Sequence, residues 1–319
     1  MALTGKKVLV TGGAGFVGSH LAERLIALNP ASLTIVDNFF LGRMENLENI
    51  VNDIQVVRMD ASDLSAMRQI VRAEKIDVVF DLAVIPLPTS LEYPAWTVQT
   101  NVAIATTFCE LARFGDIDTL IHCSSSEAYG TAQVVPMTEE HPLAAITPYA
   151  ASKAAADQVV LSYCRTFGID ATIVRPFNQF GPRQNDRAYA GIIPIVINRV
   201  TQGLPVEIFG DGKQTRDYIF VRDTTDFIVK AYSETATRGQ VINVGSGREI
   251  TINELVQKLL AVMHANDHPV IHTHPRPGDV RQHCAGIEKA RQMLGVNPPG
   301  VTHENLNETV EWYLKAKSA

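Results

Sequence analysis

The stretch Thr11-Gly12-Gly13-Ala14-Gly15-Phe16-Val17-Gly18 constrains this chain more than any other. The residues before it, Lys7 to Thr11, read as a buried strand of about five residues. After it, Val17, Leu21, Leu25 and Leu28 recur at helical spacing. A strand that runs into closely spaced glycines and then into a helix is the setting a dinucleotide-binding turn requires. Glycine permits the tight turn and a close backbone approach, and the helix N-terminus faces a pyrophosphate. Gly13, Gly15 and Gly18 satisfy G-x-G-x-x-G, while Gly12, Gly15 and Gly18 satisfy the longer-spaced variant. Gly12, Gly15, Phe16, Val17 and Gly18 are therefore expected to line a dinucleotide.

The next strands extend the pattern. Ser32 to Val36 is a second strand, with Asp37 at its end, 19 residues after Gly18. A carboxylate there accepts hydrogen bonds from the adenosine ribose and repels a 2′-phosphate, so NAD is expected rather than NADP. Asn38 adjoins it, and Arg43 is the one residue nearby that argues for NADP. A third strand from Gln55 to Met59 precedes Asp60 and Ala61. An Asp here can bond the adenine amine or cap the following helix, and both readings stay open. The fourth strand, residues 76–82, leads through Leu82 and Ala83 into a loop stiffened by Pro86 and Pro88. A helix over 95–114 carries Asn101. The fifth strand, 119–124, runs into Ser125, Ser126 and Glu127, and ligands bind where such polar clusters end parallel strands.

A sixth strand is expected over 170–175 and a seventh over 240–244. Beyond Pro176 the pattern turns irregular, with a helix over 192–201, a short strand over 206–209 and a final helix over 304–316. The fold class is α/β: a doubly wound (Rossmann) parallel sheet of about seven strands with a smaller, interleaved substrate domain. The expected division is 1–176 plus 218–245 for the cofactor, and 177–217 plus 246–319 for the substrate.

Chemistry concentrates in Thr147-Pro148-Tyr149-Ala150-Ala151-Ser152-Lys153. Thr147 suits a helix cap and Pro148 the first helical position, where its missing N–H costs nothing. Tyr149 and Lys153 then stand one turn apart on the same face. A free phenol has a pKa of about 10. A neighbouring ammonium favours the phenolate, and a tyrosine brought near the operating pH can take a proton from a sugar hydroxyl.

Composition removes other classes. Net charge is −6 with Lys and Arg scattered, which favours neither a nucleic-acid nor a membrane surface. No run approaches the ~20 apolar residues needed to span a bilayer. The four cysteines show neither metal-ligand spacing nor disulfide density, so a reducing, cytoplasmic setting is expected. His272 and His274 alternate along a strand, which suits a solvated face better than a metal site.

Taken together, the chain resembles the extended short-chain dehydrogenase/reductases that act on nucleotide sugars. The likeness rests on the glycine turn with Asp37, the Ser-rich strand end, Tyr149-x-x-x-Lys153, Arg175-Pro176-Phe177-Asn178, Gln214-Thr215-Arg216-Asp217-Tyr218 and Arg276-Pro277-Gly278-Asp279. The resemblance implies tightly held NAD, a nucleoside-diphosphate sugar (a UDP-sugar foremost), and a homodimer through the helices over 95–114 and 149–167. By the same resemblance Tyr149 is the base for the sugar C4 hydroxyl. Lys153 tunes it and holds the nicotinamide ribose, Ser125 shares the C4 hydroxyl, and Leu82, Ala83, Asn101 and Pro176 complete the NAD site. Asn178, Arg216 and Arg276 are implied for the diphosphate, where a bidentate guanidinium is suited. Asp279 is implied for the nucleoside ribose, and Pro88, Ser126, Ile193, Val206, Phe209 and Gln214 for the remaining substrate walls.

The family shares C4 oxidation, and the fate of the 4-keto sugar depends on the groups beside C5 and C6. Glu127 occupies the place where related dehydratases carry the carboxylate that removes the C5 proton, so elimination of water across C5–C6 is the leading expectation. Ser126 stands where many 4,6-dehydratases have an acid, which leaves that acid unidentified. A 4-epimerase is the alternative, suggested by 188–194 and 276–281. A glucuronate decarboxylase, with Arg187 as a carboxylate contact, is another. A non-catalytic NAD-binding regulator is the reading from a different class.

Overall fold

The computed structural model of the protein describes residues 2–186, 191–274 and 281–318. Its centre is a seven-stranded, fully parallel sheet. The first six strands are β1 (Lys7–Thr11), β2 (Ser32–Asp37), β3 (Gln55–Arg58), β4 (Val78–Asp81), β5 (Thr119–Cys123) and β6 (Ala171–Pro176). The seventh returns late in the chain. Successive side chains in a strand point to opposite faces, so a sheet covered on both sides reads as an almost unbroken apolar run. Val8 and Val10 of β1 accordingly pack with Leu33 and Ile35 on one face, and Leu9 packs with Val36 and Val79 on the other.

Helices cover both faces. α1 (Phe16–Ile26) lies on the Val8 side; α2 (Leu64–Glu74), α4 (Pro94–Arg113) and α5 (Pro148–Phe167) lie on the Leu9 side. Between them α3 (Leu87–Glu92) forms where the sequence predicts a stiff loop. Both prolines sit at the beginning of that helix, Pro86 at its cap and Pro88 in its first turn, where proline needs no N–H partner. α5 starts as its sequence demands. Thr147 accepts from the Ala150 N–H, Pro148 opens the helix, and Gly168 closes it in the left-handed conformation.

Some of the remaining elements build a second, smaller region and the others return to the large sheet. They are β7 (Asn178–Phe180), α6 (Ile192–Thr201), β8 (Val206–Phe209), β9 (Thr215–Phe220), α7 (Val221–Ser233), β10 (Val241–Val244), β11 (Glu249–Thr251), α8 (Ile252–Val262), β12 (Val270–Thr273), α9 (Glu288–Leu294) and α10 (His303–Ser318). β11, β9 and β7 make a three-stranded sheet, and β12 pairs with β8. Their core draws on α6, α8 and α10. The chain weaves between the regions. β9 passes directly into α7, whose Phe227 and Ile228 return to the core of the large sheet, and β10 joins that sheet beside β6. Ala290 and Leu294 of α9 pack there as well.

The large sheet runs β3-β2-β1-β4-β5-β6-β10, so strand order reverses between β1 and β4. Adjacent loops diverge at such a point and leave a crevice beyond the C-terminal strand ends.

Candidate active site

The crevice holds a cavity of about 410 Å³ built around the glycine turn. The turn is stitched by Gly12 N–H donating to the Val36 carbonyl (2.9 Å) and Gly15 N–H to the Gly12 carbonyl (3.1 Å). Gly12 has φ +62°, and a Cβ there would sit 2.9 Å from the Leu82 carbonyl oxygen. A Cβ on Gly18 would collide with the Gly12 carbonyl oxygen and stand 2.8 Å from the Gly13 Cα. No side chain caps α1 at Gly15, which leaves the helix N-terminus to face the cavity.

Asp37 closes the adenosine end. Its carboxylate accepts from Ala14 N–H (3.0 Å) and Phe39 N–H (2.8 Å), and burial pushes its pKa up. Arg43 also lines this cavity, but its guanidinium is 3.6 Å from the Asp186 carboxylate. Asn38, Asp60, Ala61, Leu82, Ala83 and Pro176 line the wall together with Phe16 and Val17. Asp60 accepts from the Ser62 N–H and hydroxyl, whereas the cap of α2 is Asp63. Asn101 stands apart from the other expected cofactor residues. It is buried behind the wall, where its amide bonds the Ile85 N–H (2.7 Å), the Ile85 carbonyl (3.0 Å) and the Ser152 hydroxyl (2.9 Å). A backbone cradle that any Cβ would fill, an open helix end and a carboxylate at the second strand end fit a dinucleotide with a free ribose 2′-hydroxyl.

A second cavity, about 720 Å³, adjoins the first. Ser125 and Tyr149 line both. Ser125 stands close enough to the Tyr149 phenol to influence its ionisation. The Lys153 ammonium is buried and donates to the Cys123 carbonyl (2.6 Å). Burial pushes the Tyr149 phenol well above its usual range and Ser125 pulls it down. The lowering by Lys153 expected from spacing is thus not what governs the phenol here. Glu127 lines the second cavity beside Ser126, and burial raises its carboxyl while Arg216 lowers it. A carboxyl tuned upward suits proton transfer near neutrality.

The substrate residues come from distant segments. On β9 the two-residue alternation turns Arg216 and Tyr218 toward the second cavity, and Gln214, just before the strand, lines it as well. Asp217 points away and is fully buried, accepting from the Ser246 N–H and hydroxyl, Gly247 N–H and Ala285 N–H. Pro88, Asn178, Ile193 and Phe209 line the same space. Val206 does not; it is a core residue on the opposite side of β8 from Phe209. Arg276, Asp279 and Arg187 lie outside the described residues, as does part of each of the segments 188–194 and 276–281.

Several wall residues carry no signal in the sequence. Gln179 and Gln184 line both cavities, and Trp312 of α10 reaches the first. Arg199 and Glu207 pair at 2.8 Å in the second. Beneath Tyr149, Lys153 and Ser125 lie buried Asp81, His122, Asp157 and Arg175. Asp157 lies one further turn along the face of Tyr149 and Lys153, and Arg175 opens the Arg175-Pro176-Phe177-Asn178 motif.

Comparison with known proteins agrees with this geometry. The NAD dependent epimerase/dehydratase family matches residues 8–245. A UDP-glucose 4-epimerase from Mycolicibacterium smegmatis is 34% identical, covering 96% of this chain and 98% of the relative. A UDP-N-acetyl-alpha-D-glucosaminuronate decarboxylase from Bacillus cytotoxicus is 32% identical, covering 98% and 99%. Among solved structures, the dTDP-glucose 4,6-dehydratase DesIV from Streptomyces venezuelae, with NAD and TYD bound, superposes with a TM-score of 0.90. It is 28% identical and covers 98% of each chain.

Proposed function

Given that this chain belongs to the NAD-dependent epimerase/dehydratase family and uses NAD, we propose that it is a nucleotide-sugar dehydratase. In this reading it oxidises sugar C4 and then removes water across C5–C6. One observation carries the reading: the Glu127 carboxyl, raised by burial, stands in the same cavity wall as Tyr149 and Ser125. NAD supplies the hydride acceptor for C4 and the hydride that later returns to the sugar. Glycine-turn backbone, Asp37 and Lys153 hold it. Tyr149 takes the C4 hydroxyl proton, with Ser125 steering that hydroxyl. The C4 ketone acidifies the C5 proton, Glu127 removes it and passes it to the C6 hydroxyl, which departs as water; hydride then returns to C6 and a proton to C5. Asn178 and Arg216 hold the diphosphate of a UDP-sugar, and Phe209 faces its base. A second copy docks through α4 and α5, which pack side by side along the Leu9 face.

The 4-epimerase reading is kept because a 4-epimerase is 34% identical over nearly the whole chain. In that reading Glu127 is a wall residue and the 4-keto sugar is re-reduced from its other face. Incubation with UDP-, dTDP-, GDP- and CDP-sugars and then mass measurement separates the two. Loss of one water supports the dehydratase, unchanged mass supports the epimerase, and carbon dioxide from a uronate supports decarboxylation. Glu127→Gln is expected to abolish water loss and spare C4 oxidation; an undiminished water-loss rate removes the assigned role.

A further inference from the structure

Tyr149, Lys153 and Asp157 form one stripe along α5, each a turn beyond the last. Facing them are the consecutive residues Cys123, Ser124 and Ser125 at the end of β5. Each makes one rung: Ser125 beside the Tyr149 phenol in the wall of both cavities, the Cys123 carbonyl accepting from Lys153, and the Ser124 hydroxyl donating to Asp157 Oδ2 (2.7 Å). The lowest rung is the most deeply buried. Asp157 has no exposed surface, and its Oδ2 also accepts from Arg175 Nη2 of β6 (2.5 Å). The Arg175 guanidinium lies 4.4 Å over the Tyr129 ring. His122 of β5 stands between carboxylates. Its Nδ1 is 2.8 Å from Asp81 of β4, and its Nε2 is 3.9 Å from Asp157 Oδ1. Asp81 in turn accepts from Thr11, the residue that opens the glycine turn (2.8 Å). Buried charge is costly unless it does something packing cannot, and fixing a register is the best-attested use.

We propose that Asp157 is the positioning residue of the catalytic pair, tying the end of β5 to α5 through Ser124 and Arg175 so that Ser125 stays within reach of the Tyr149 phenol. A hydrocarbon at this position would pack but would not choose one sliding position of helix on strand. The carboxylate chooses, because its partners Ser124 and Arg175 are fixed on two adjacent strands. The catalytic consequence rests on the reading of Tyr149 as base, whereas the geometric claim stands without it.

Two measurements test it separately. In crystal structures of Asp157→Ala and Ser124→Ala, the Ser125 hydroxyl is expected to move away from the Tyr149 phenol and lose its wild-type contact, while Asp157→Asn, whose amide oxygen still accepts from both partners, retains it. Retention of that contact in Asp157→Ala overturns the proposal. Should Asp157→Ala fail to fold, Ser124→Ala decides by the same criterion. In kinetics on the UDP-sugar turned over by the wild type, Asp157→Ala is expected to lose kcat by ~10²-fold, the cost of an ångström-scale misplacement, with KM within ~3-fold. Asp157→Asn should recover kcat to within ~5-fold of wild type at unchanged NAD content. A loss carried by KM or by NAD content, or equal kcat losses in the Ala and Asn variants, also overturns it.

Discussion

The two cavities are made in opposite ways. The first is built around the backbone of one strand–turn–helix, with Gly12, Gly15 and Gly18 within seven residues of chain, and its outer walls come from segments between Val36 and Trp312. The second has no such turn and is drawn from α3, the residues after β5, β7, α6, β8, β9 and α8, whose members are scattered from Pro86 to Ile252. The contrast shows where function can vary. A backbone cradle accepts one kind of ligand and tolerates no added atom. A wall of side chains can be rewritten residue by residue, as the epimerase, decarboxylase and dehydratase relatives around one shared fold illustrate.

Tyr149, the proposed base, lines both cavities, so its loss should be the largest effect. Tyr149→Phe is expected to lower turnover ~10²–10⁴-fold while bound NAD, measured by extraction, stays at the wild-type level. Loss of NAD together with turnover would mean that the phenol serves the first cavity alone. Gly18→Ala addresses the backbone cradle. The new Cβ meets the Gly12 carbonyl oxygen and the Gly13 Cα, backbone atoms that cannot step aside, so NAD content should collapse and stability fall by about 1–3 kcal/mol. Unchanged NAD content would show that the cradle is softer than its geometry.

Acid sensitivity compares the regions directly, since each holds a buried histidine whose pKa is lowered by burial. His20, on α1, is lowered to about 4 by burial, against its bond to the Pro182 carbonyl. His283, on the substrate side, is lowered to about 4 by burial and then by Arg216. Both are neutral when folded, and the unfolded chain binds more protons between pH 6.5 and about 4. Stability from each is therefore complete above the unfolded value and is lost as pH falls through that window, at most about 3 kcal/mol apiece. His20→Gln and His283→Gln should each flatten the acid limb of a melting-temperature profile. If one variant flattens it completely, a single region governs acid unfolding.

The smallest pair concerns helix caps. Asp63→Ala removes the bond to Ala66 N–H on α2, and Thr251→Ala breaks the Thr251–Glu254 capping box on α8. Each should cost about 1 kcal/mol. A single cooperative transition that shifts equally in both variants would show the two regions unfolding together; separate transitions would show that they do not.

Much of the molecule is legible in the sequence where the signal is local. The strand ends of β1 and β2, the α5 cap at Thr147 and the bounds of α6 come from side-chain period and turn chemistry within a few residues. Legibility fails where a partner is remote. The prolines at 86 and 88 read as a stiff loop because a short helix begun by proline depends on what it packs against. Asn101 reads as a ligand residue, but its partner is the backbone of Ile85. Spacing alone predicts that Lys153 acts on the phenol, yet the phenol's immediate surroundings are set by burial and by Ser125.

From the amino-acid order alone came the parallel sheet, the glycine cradle with its carboxylate, and the stripe that places Tyr149 over Lys153, because each is a short-range backbone or periodicity effect. Only the folded chain decided which face of β9 meets the substrate cavity, that Gln179 and Gln184 serve two cavities at once, and that Asp157 is locked between β5 and β6. Those facts depend on segments far apart in sequence being pressed into low-dielectric contact, where a single hydrogen bond or charge pair selects one arrangement among many that the linear pattern allows.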